Sequence, residues 1–330
     1  MPRPPSQIFA LRIDLARALV VACVWLTGCS VSTHPVTPSD LGTARRSADL
    51  LAVVDQPGPL QVETINASEW SVDRSGLLDL DDPRAKAAGL KDGDEPIQIF
   101  FHVIHHPQKG TFLIDTGVER ALRDAPDRAA VRGLVATVAH VDRMKVHEPL
   151  GDWLARQAGP LAGVFFTHLH IDHIAGAPDL PPGTPIYAGP GETSSHAFAN
   201  LFIQGVTDRA LEGKGPLHEW PFAPDPDGRF SVVDVFSDGS LWAIWVPGHT
   251  PGSTAYLART PSGPVLFVGD TCHTRWGWEN HVAPGAFTED RASNVISLEK
   301  LERLVAEHPG IDVRLGHQYL HGPPKVAASP

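Results

Sequence analysis

The chain alternates between dense apolar runs and breaks rich in Gly, Pro and Asp. Residues 97–106 (IQIFFHVIHH) are β-branched and aromatic, and they predict a strand. Pro107-Gln108-Lys109-Gly110 reads as a turn and residues 111–114 as a second strand, so the two form a hairpin ending at Asp115-Thr116-Gly117. Residues 118–160 are mostly helical in pattern, broken by Asp, Pro and Gly. Val164-Phe165-Phe166 is a short strand of core residues, and 185–188 another. Residues 194–211 predict a helix. Strands are expected at 231–236, 241–246, 254–259 and 264–268, with turns at Asp238-Gly239 and Pro261-Ser262-Gly263. Val295, Ile296, Leu298, Leu301, Leu304 and Val305 form a helical stripe over 290–308, stopped by Pro309-Gly310. A last strand at 312–315 runs into Gly316-His317. Grouped strands with helices between and after them suggest two sheets covered by helices. The pattern alone does not choose among such sandwiches.

Composition adds little to that picture, but charge excludes something. At 330 residues the chain can bury a sizeable core, and its 42 % hydrophobic and 20 % charged residues are ordinary for a globular protein. The net charge of −11 argues against nucleic acid, whose phosphates need a basic face, and against electrostatic adhesion to anionic lipid.

The chemistry is concentrated in one place. With 17 histidines in the chain, His105, His106, His140, His196, His218 and His308 read individually as surface or core residues. Thr167-His168-Leu169-His170-Ile171-Asp172-His173 is different. It packs three histidines and an aspartate directly after a buried strand. In an extended segment His168 and His170 point the same way, and a following turn can aim Asp172 and His173 at a second ion.

This His-x-His-x-Asp-His motif resembles that of the metallo-β-lactamase superfamily, and its other landmarks follow in order. Pro247-Gly248-His249-Thr250-Pro251-Gly252 resembles the third-histidine loop. Val268-Gly269-Asp270 resembles the strand end bearing the bridging carboxylate, and Leu315-Gly316-His317 the final histidine. Leu113-Ile114-Asp115-Thr116-Gly117 resembles the early aspartate loop. The resemblance spans roughly 97–317. It implies the four-layer αβ/βα sandwich of that family. It also implies a first metal on His168, His170 and His249, a second on Asp172, His173 and His317, and Asp270 bridging both. Asp115 would orient ligands, or serve as turn chemistry alone. Two zinc ions are expected, with iron or manganese compatible with the donors. Such a pair lowers the pKa of a shared water and polarises the group under attack, with Asp172 or Asp270 relaying a proton.

Departures within the family narrow the substrate. An aspartate at position 270 argues against a true β-lactamase, and His170 argues against the oxygen-reducing diiron relatives. The layout is similar to acyl-homoserine lactone lactonases, glyoxalase-II-type thioesterases and organophosphate hydrolases. The expected activity is hydrolysis of a small-molecule lactone or carboxylic ester. A phosphodiester or phosphotriester hydrolase, a thioesterase, and a non-catalytic metal-containing binding protein are the alternatives. Lactonases of this group commonly carry tyrosine where this chain has His273. His273 is thus a candidate oxyanion donor or an orienting residue. Arg275, Trp276 and Trp278 are candidates for the substrate wall, or for packing the loop onto the core. Cys272 reads as a small buried side chain, and 125–148 as a possible lid.

The amino terminus reads as an export signal. Arg3, Arg12 and Arg17 precede the apolar stretch 18–26, which is too short to span a bilayer. Leu26-Thr27-Gly28-Cys29 resembles the lipobox of bacterial lipoproteins. The expected division is a signal peptide over 1–28, a lipid anchor at Cys29 with a Ser/Thr/Pro-rich tether to residue 45, and a hydrolase domain over 46–330. Membrane attachment would come only through that anchor, with the periplasmic face of the outer membrane as the expected place. Three cysteines in all, with Cys23 removed and Cys29 modified, leave Cys272 without an internal disulfide partner.

Overall fold

A computed structural model describes residues 29–157, 159–197 and 200–322. The expected signal peptide lies outside the described residues. β1 (Cys29–Ser30), β2 (Val36–Pro38), β3 (Thr43–Arg45) and β4 (Gln61–Asp73) open the chain. β5 (Asp94–His106) and β6 (Gly110–Ile114) form the expected hairpin, with His106 opposite Gly110. β7 (Lys145–Val146), β8 (Leu161–Phe165), β9 (Ile186–Ala188), β10 (His196–Ala197) and β11 (Leu217–Glu219) follow. β12 (Val232–Asp234), β13 (Leu241–Trp245), β14 (Thr254–Thr260), β15 (Gly263–Phe267) and β16 (Asp312–Arg314) complete the set.

Two large sheets result. One has the order β2-β11-β9-β8-β6-β5-β4-β7, the other β16-β15-β14-β13-β12-β3. β14 shows how they stack. All seven of its residues are buried, because its alternate side chains enter different layers. Tyr256 and Ala258 join Phe112, Phe165 and Phe267 between the sheets. Ala255 and Leu257 face outward to Leu298, Leu301 and Leu304 of the helix Arg291–Glu307. The opposite helix layer packs Val206, Ala210 and Trp153 on the outer face of the first sheet. This is the four-layer αβ/βα sandwich. Phe112 and Phe165 stack at 5.1 Å, and Tyr256 joins the sheets by donating to Phe166 O at 2.9 Å while accepting from Trp220 Nε1 at 3.0 Å. Each large apolar side chain so buried contributes about 1.5–3 kcal/mol.

Three expectations change. The segment read as a tether enters the fold. β2 pairs in parallel with β11, β3 pairs with β12, and Val31 lies in a core cluster. Short polar strands suffice there because each is needed only to cover a sheet edge. The helix expected over 194–211 is shorter, running Asn200–Ala210, because His196–Ala197 pairs with Cys29–Ser30. Among the described residues of 118–160 the helices are short, the longest being Leu150–Ala155.

The apolar stripe of Arg291–Glu307 is also narrower than its pattern, with Val295 and Ile296 40 % and 55 % exposed. Asn294 and Ser297 take the inward positions instead. Asp290 caps this helix by accepting from Ser293 N at 3.1 Å. Its first turns are polar inside because they hold loops: Asn294 Nδ2 donates to Thr271 O at 3.1 Å, and Ser297 Oγ to Pro247 O at 2.7 Å.

Candidate metal centre

Five strands end at one rim of the sandwich, and each delivers part of the site. β6 leads to Asp115, β8 to residues 168–173, β13 to His249, β15 to Asp270 and β16 to His317. Their donor atoms form two clusters. His168, His170, His249 and Asp270 have donor atoms within 4.8 Å of one another, and so do Asp172, His173, Asp270 and His317. Asp270 belongs to both.

Inside the clusters the donor atoms lie close to one another. His249 Nε2 lies 3.2 Å from His168 Nε2 and 2.8 Å from His170 Nδ1. Asp270 Oδ2 lies 3.2 Å from His317 Nε2, and Asp270 Oδ1 3.2 Å from His173 Nε2. Asp172 Oδ2 is 3.2 Å from His317 Nε2. His173 Nε2 and Asp270 Oδ1 are buried without a hydrogen-bond partner. Imidazole lone pairs converging on one another and on a carboxylate are costly unless a cation sits among them. The donor set therefore fits a pair of divalent ions.

Outer contacts fix which nitrogen faces inward. Backbone carbonyls only accept, so His317 donates from Nδ1 to Gln98 O at 2.9 Å, and His273 from Nδ1 to Leu77 O at 3.0 Å. Each Nε2 is then free to point at Asp270. Asp115 does more. Its Oδ2 accepts from His173 Nδ1 at 2.7 Å and from Thr167 Oγ1 at 2.9 Å. With its proton given to Asp115, Thr167 Oγ1 accepts from His168 Nδ1 at 3.1 Å. One carboxylate thus orients a ligand of each cluster. Asp115 sits at φ +57°, and Thr167 N donates to its Oδ1 at 2.8 Å, which holds that unusual backbone in place.

Burial and charge act on these groups in opposite directions. Burial lowers the His168 and His249 pKa values well below the ordinary range, so both stay neutral donors. Burial also opposes the charging of His173 and His317, but Asp270 overrides it, raising His317 to about 10 and His173 well above its ordinary value. These are the positions where positive charge is most favoured.

Two close approaches explain glycines. A Cβ on Gly316 would lie 2.1 Å from Asp270 Oδ1, and one on Gly248, at φ +142°, would lie 2.2 Å from Asn294 N.

His273 is buried beside Asp270, its Nε2 3.0 Å from Oδ2. With Nδ1 on Leu77 O, neither nitrogen is turned to an oxyanion in this arrangement. Arg275 is exposed and paired with Glu279 at 2.6 Å. Trp278 packs on the helix-side core cluster, and Trp276 is half-buried with its carbonyl accepting from Asn280. Cys272 is buried, and burial pushes its thiol pKa up, leaving it inert.

The sequence reading missed Glu192. This buried carboxylate accepts from Leu169 N and Gly252 N, both at 2.9 Å, and from Thr250 Oγ1. It ties the His168–His170 segment to the His249 loop. A lone glutamate in Gly-Pro-Gly-Glu-Thr carries no spacing that would mark it.

The family model described as metallo-beta-lactamase superfamily matches residues 95–317. An N-acyl homoserine lactonase, AttM, of Azorhizobium caulinodans is 30% identical over 228 residues, covering 68% of this chain and 83% of that protein. The crystal structure of a quorum-quenching N-acyl homoserine lactone lactonase superposes with a TM-score of 0.54 at 19% identity, over 80% of this chain and 93% of the other. The structure of AidC, described as a dizinc quorum-quenching lactonase, gives a TM-score of 0.50 at 15% identity, over 84% and 92%. The chain belongs to the metallo-beta-lactamase superfamily. Within that class it is a hydrolase similar to the N-acyl homoserine lactonases, with a site built for divalent metal.

Proposed function

We propose that this protein is a two-zinc hydrolase that opens lactones, with N-acyl homoserine lactones as the first class to test. The carrying observation is Asp270, shared by two histidine clusters. Asp270 and the two clusters that share it would hold a pair of ions. When bound, the ions supply Lewis acidity and a water acidified towards neutral pH. Asp115, Gln98 O, Leu77 O and Thr167 keep the imidazoles in fixed tautomers, so the donors need no reorganisation during turnover. Asp172 is half-buried at the edge of the second cluster, and the carboxylate oxygen that does not face His317 is the proposed place where the proton is received and passed to the leaving oxygen.

Similarity to lactonases over two thirds of the chain supports the substrate class. A phosphoester reading would want a free cation over the site, and Arg275 is engaged by Glu279 instead. We further propose that the chain is exported and lipid-anchored through Cys29, on the strength of the lipobox-like Leu26-Thr27-Gly28-Cys29. Among the described residues no helix is long and apolar enough to cross a membrane.

The variants His170→Ala and Asp270→Ala test the site. Each should lower lactone turnover by roughly 10³-fold or more, and Asp270→Ala should also reduce bound metal below two equivalents. Near-normal turnover in either would remove the two-metal reading.

A further inference from the structure

His273 shares its setting with His317, a donor of the second cluster. Their two segments run side by side, with Gly316 N donating to Cys272 O and His317 N to His273 O, both at 3.1 Å. Their rings stack at 5.6 Å with 15° between the planes. Each gives its Nδ1 proton to a backbone carbonyl, His317 to Gln98 O and His273 to Leu77 O. Each then brings Nε2 to the same atom, Asp270 Oδ2, at 3.2 Å and 3.0 Å. Both residues are buried.

A neutral imidazole with its proton on Nδ1 carries a lone pair at Nε2. For His273 that lone pair stands 3.0 Å from a carboxylate oxygen, which is also an acceptor. Two acceptors so close in a buried site repel each other unless a cation lies beside both. For His317 the donors around it already define the second ion's place. For His273 the neighbours point to the first. Asp270 Oδ2 lies 3.5 Å from His249 Nε2 and 3.7 Å from His168 Nε2. The three imidazoles of the first cluster meet one another edge to face, each pair at 4.6 Å and at angles of 78°, 89° and 77°. His273 meets His249 in the same manner, at 5.1 Å and 77°.

We infer that His273 is a further ligand of the first ion, bonding through Nε2 beside His168, His170, His249 and Asp270. It stands outside both four-donor clusters as the side chains lie. The bond therefore forms as an ion held on Asp270 Oδ2 draws the ring in, with Leu77 O keeping its Nδ1 side fixed. Five donors are within zinc's range, since its sites expand from four-coordinate to five-coordinate. Where lactonases of this group commonly carry tyrosine, this chain thus carries a metal donor. The inference rests on the two-metal reading above and not on the choice of substrate.

The test loads the full chain, its histidines labelled with nitrogen-15, with two equivalents of cadmium-113. Cadmium, like zinc, has a filled d shell and no geometric preference of its own. Its spin couples to an imidazole nitrogen through the metal–nitrogen bond, so the coupled nitrogens count the ligands. The parent should show six, from His168, His170, His173, His249, His317 and His273. His273→Gln, whose amide can still donate to Leu77 O, should show five. His273→Tyr, which sets a phenol at the same place, should also show five and serves if the first variant does not fold. Five coupled nitrogens in the parent, with two cadmium equivalents bound, overturn the ligand and leave His273 a neighbour of Asp270 only. Six in the parent and six in either variant place the extra bond on another histidine and overturn it as well. Protein that binds no cadmium overturns the two-metal reading together with this one. None of these outcomes depends on a lactone being hydrolysed.

Discussion

At the scale of single residues, the clustering donors were legible and their supports were not. Three histidines and an aspartate within six positions have no ordinary structural explanation, and the structure brings His168, His170, Asp172 and His173 together with His249, Asp270 and His317. Glu192 and Thr167 act through backbone donors and hydroxyls, which leave no spacing in the sequence. Glu192 receives three hydrogen bonds from two loops, and burial raises its pKa to about 7. Glu192→Gln keeps the shape but removes one acceptor. It should lower kcat roughly 10- to 100-fold with two metal equivalents retained, as metal analysis beside steady-state kinetics would show. Unchanged kcat would make Glu192 a packing residue only. Glu119 gives a pH prediction. Burial raises its carboxyl from the ordinary 4.5 to about 7, although Ala130 N donates to it. Below pH 4.5 it is protonated folded or unfolded, so it changes nothing. As the pH rises towards 7 the unfolded chain loses this proton first, and folding stability falls. Glu119→Gln should therefore gain on the parent in urea midpoint between about pH 5 and about pH 7.5. A gap that does not move with pH would contradict the assigned burial.

At the scale of elements, regular period-2 and helical stretches were read well, and interrupted ones were not. β4 is the clearest miss. Ile65 and Ala67 face one core cluster and Trp70, three residues on, faces the same one, because the register with β5 shifts between Asn66 and Ser68. A bulge turns the alternation over, so no single period fits the strand. β2, β3 and β11 are three residues each, too short for any period to show. The Ser/Thr/Pro-rich stretch after Cys29 has the composition of a linker and the geometry of two sheet edges. The helix Arg291–Glu307 combines the legible and the hidden. Leu298, Leu301 and Leu304 announce it, while Asn294 and Ser297 reveal its second role only when their partners, Thr271 O and Pro247 O, are seen. Leu301 is fully buried between this helix and the second sheet. Leu301→Ala should cost about 2–5 kcal/mol in denaturant unfolding. Less than about 1 kcal/mol would mean the helix is held by its polar first turns alone.

At the scale of the whole molecule, the two sheets explain why the site is where it is. Donors separated by about 150 positions in the chain, from His168 to His317, meet because β6, β8, β13, β15 and β16 end at the same rim. The interior between the sheets, with Phe165, Tyr256 and Phe267, sets their spacing. The rim loops are then drawn together by hydrogen bonds that ignore the sequence: Asp115 to Thr167, Glu192 to Thr250, Gln98 to His317. The architecture was legible through its motifs more than its pattern, since the hydrophobic periodicity is shared by many layered sandwiches. Substrate choice belongs to this scale too, because it depends on how the rim faces its surroundings.

The activity proposed for the two clusters is metal-dependent lactone hydrolysis. The most direct test offers the zinc-loaded protein a panel of acyl-homoserine and aliphatic lactones and follows acid release with a pH indicator. Turnover should vanish with chelator and return with zinc. No acid release from any lactone by protein shown to hold two metal equivalents would contradict it.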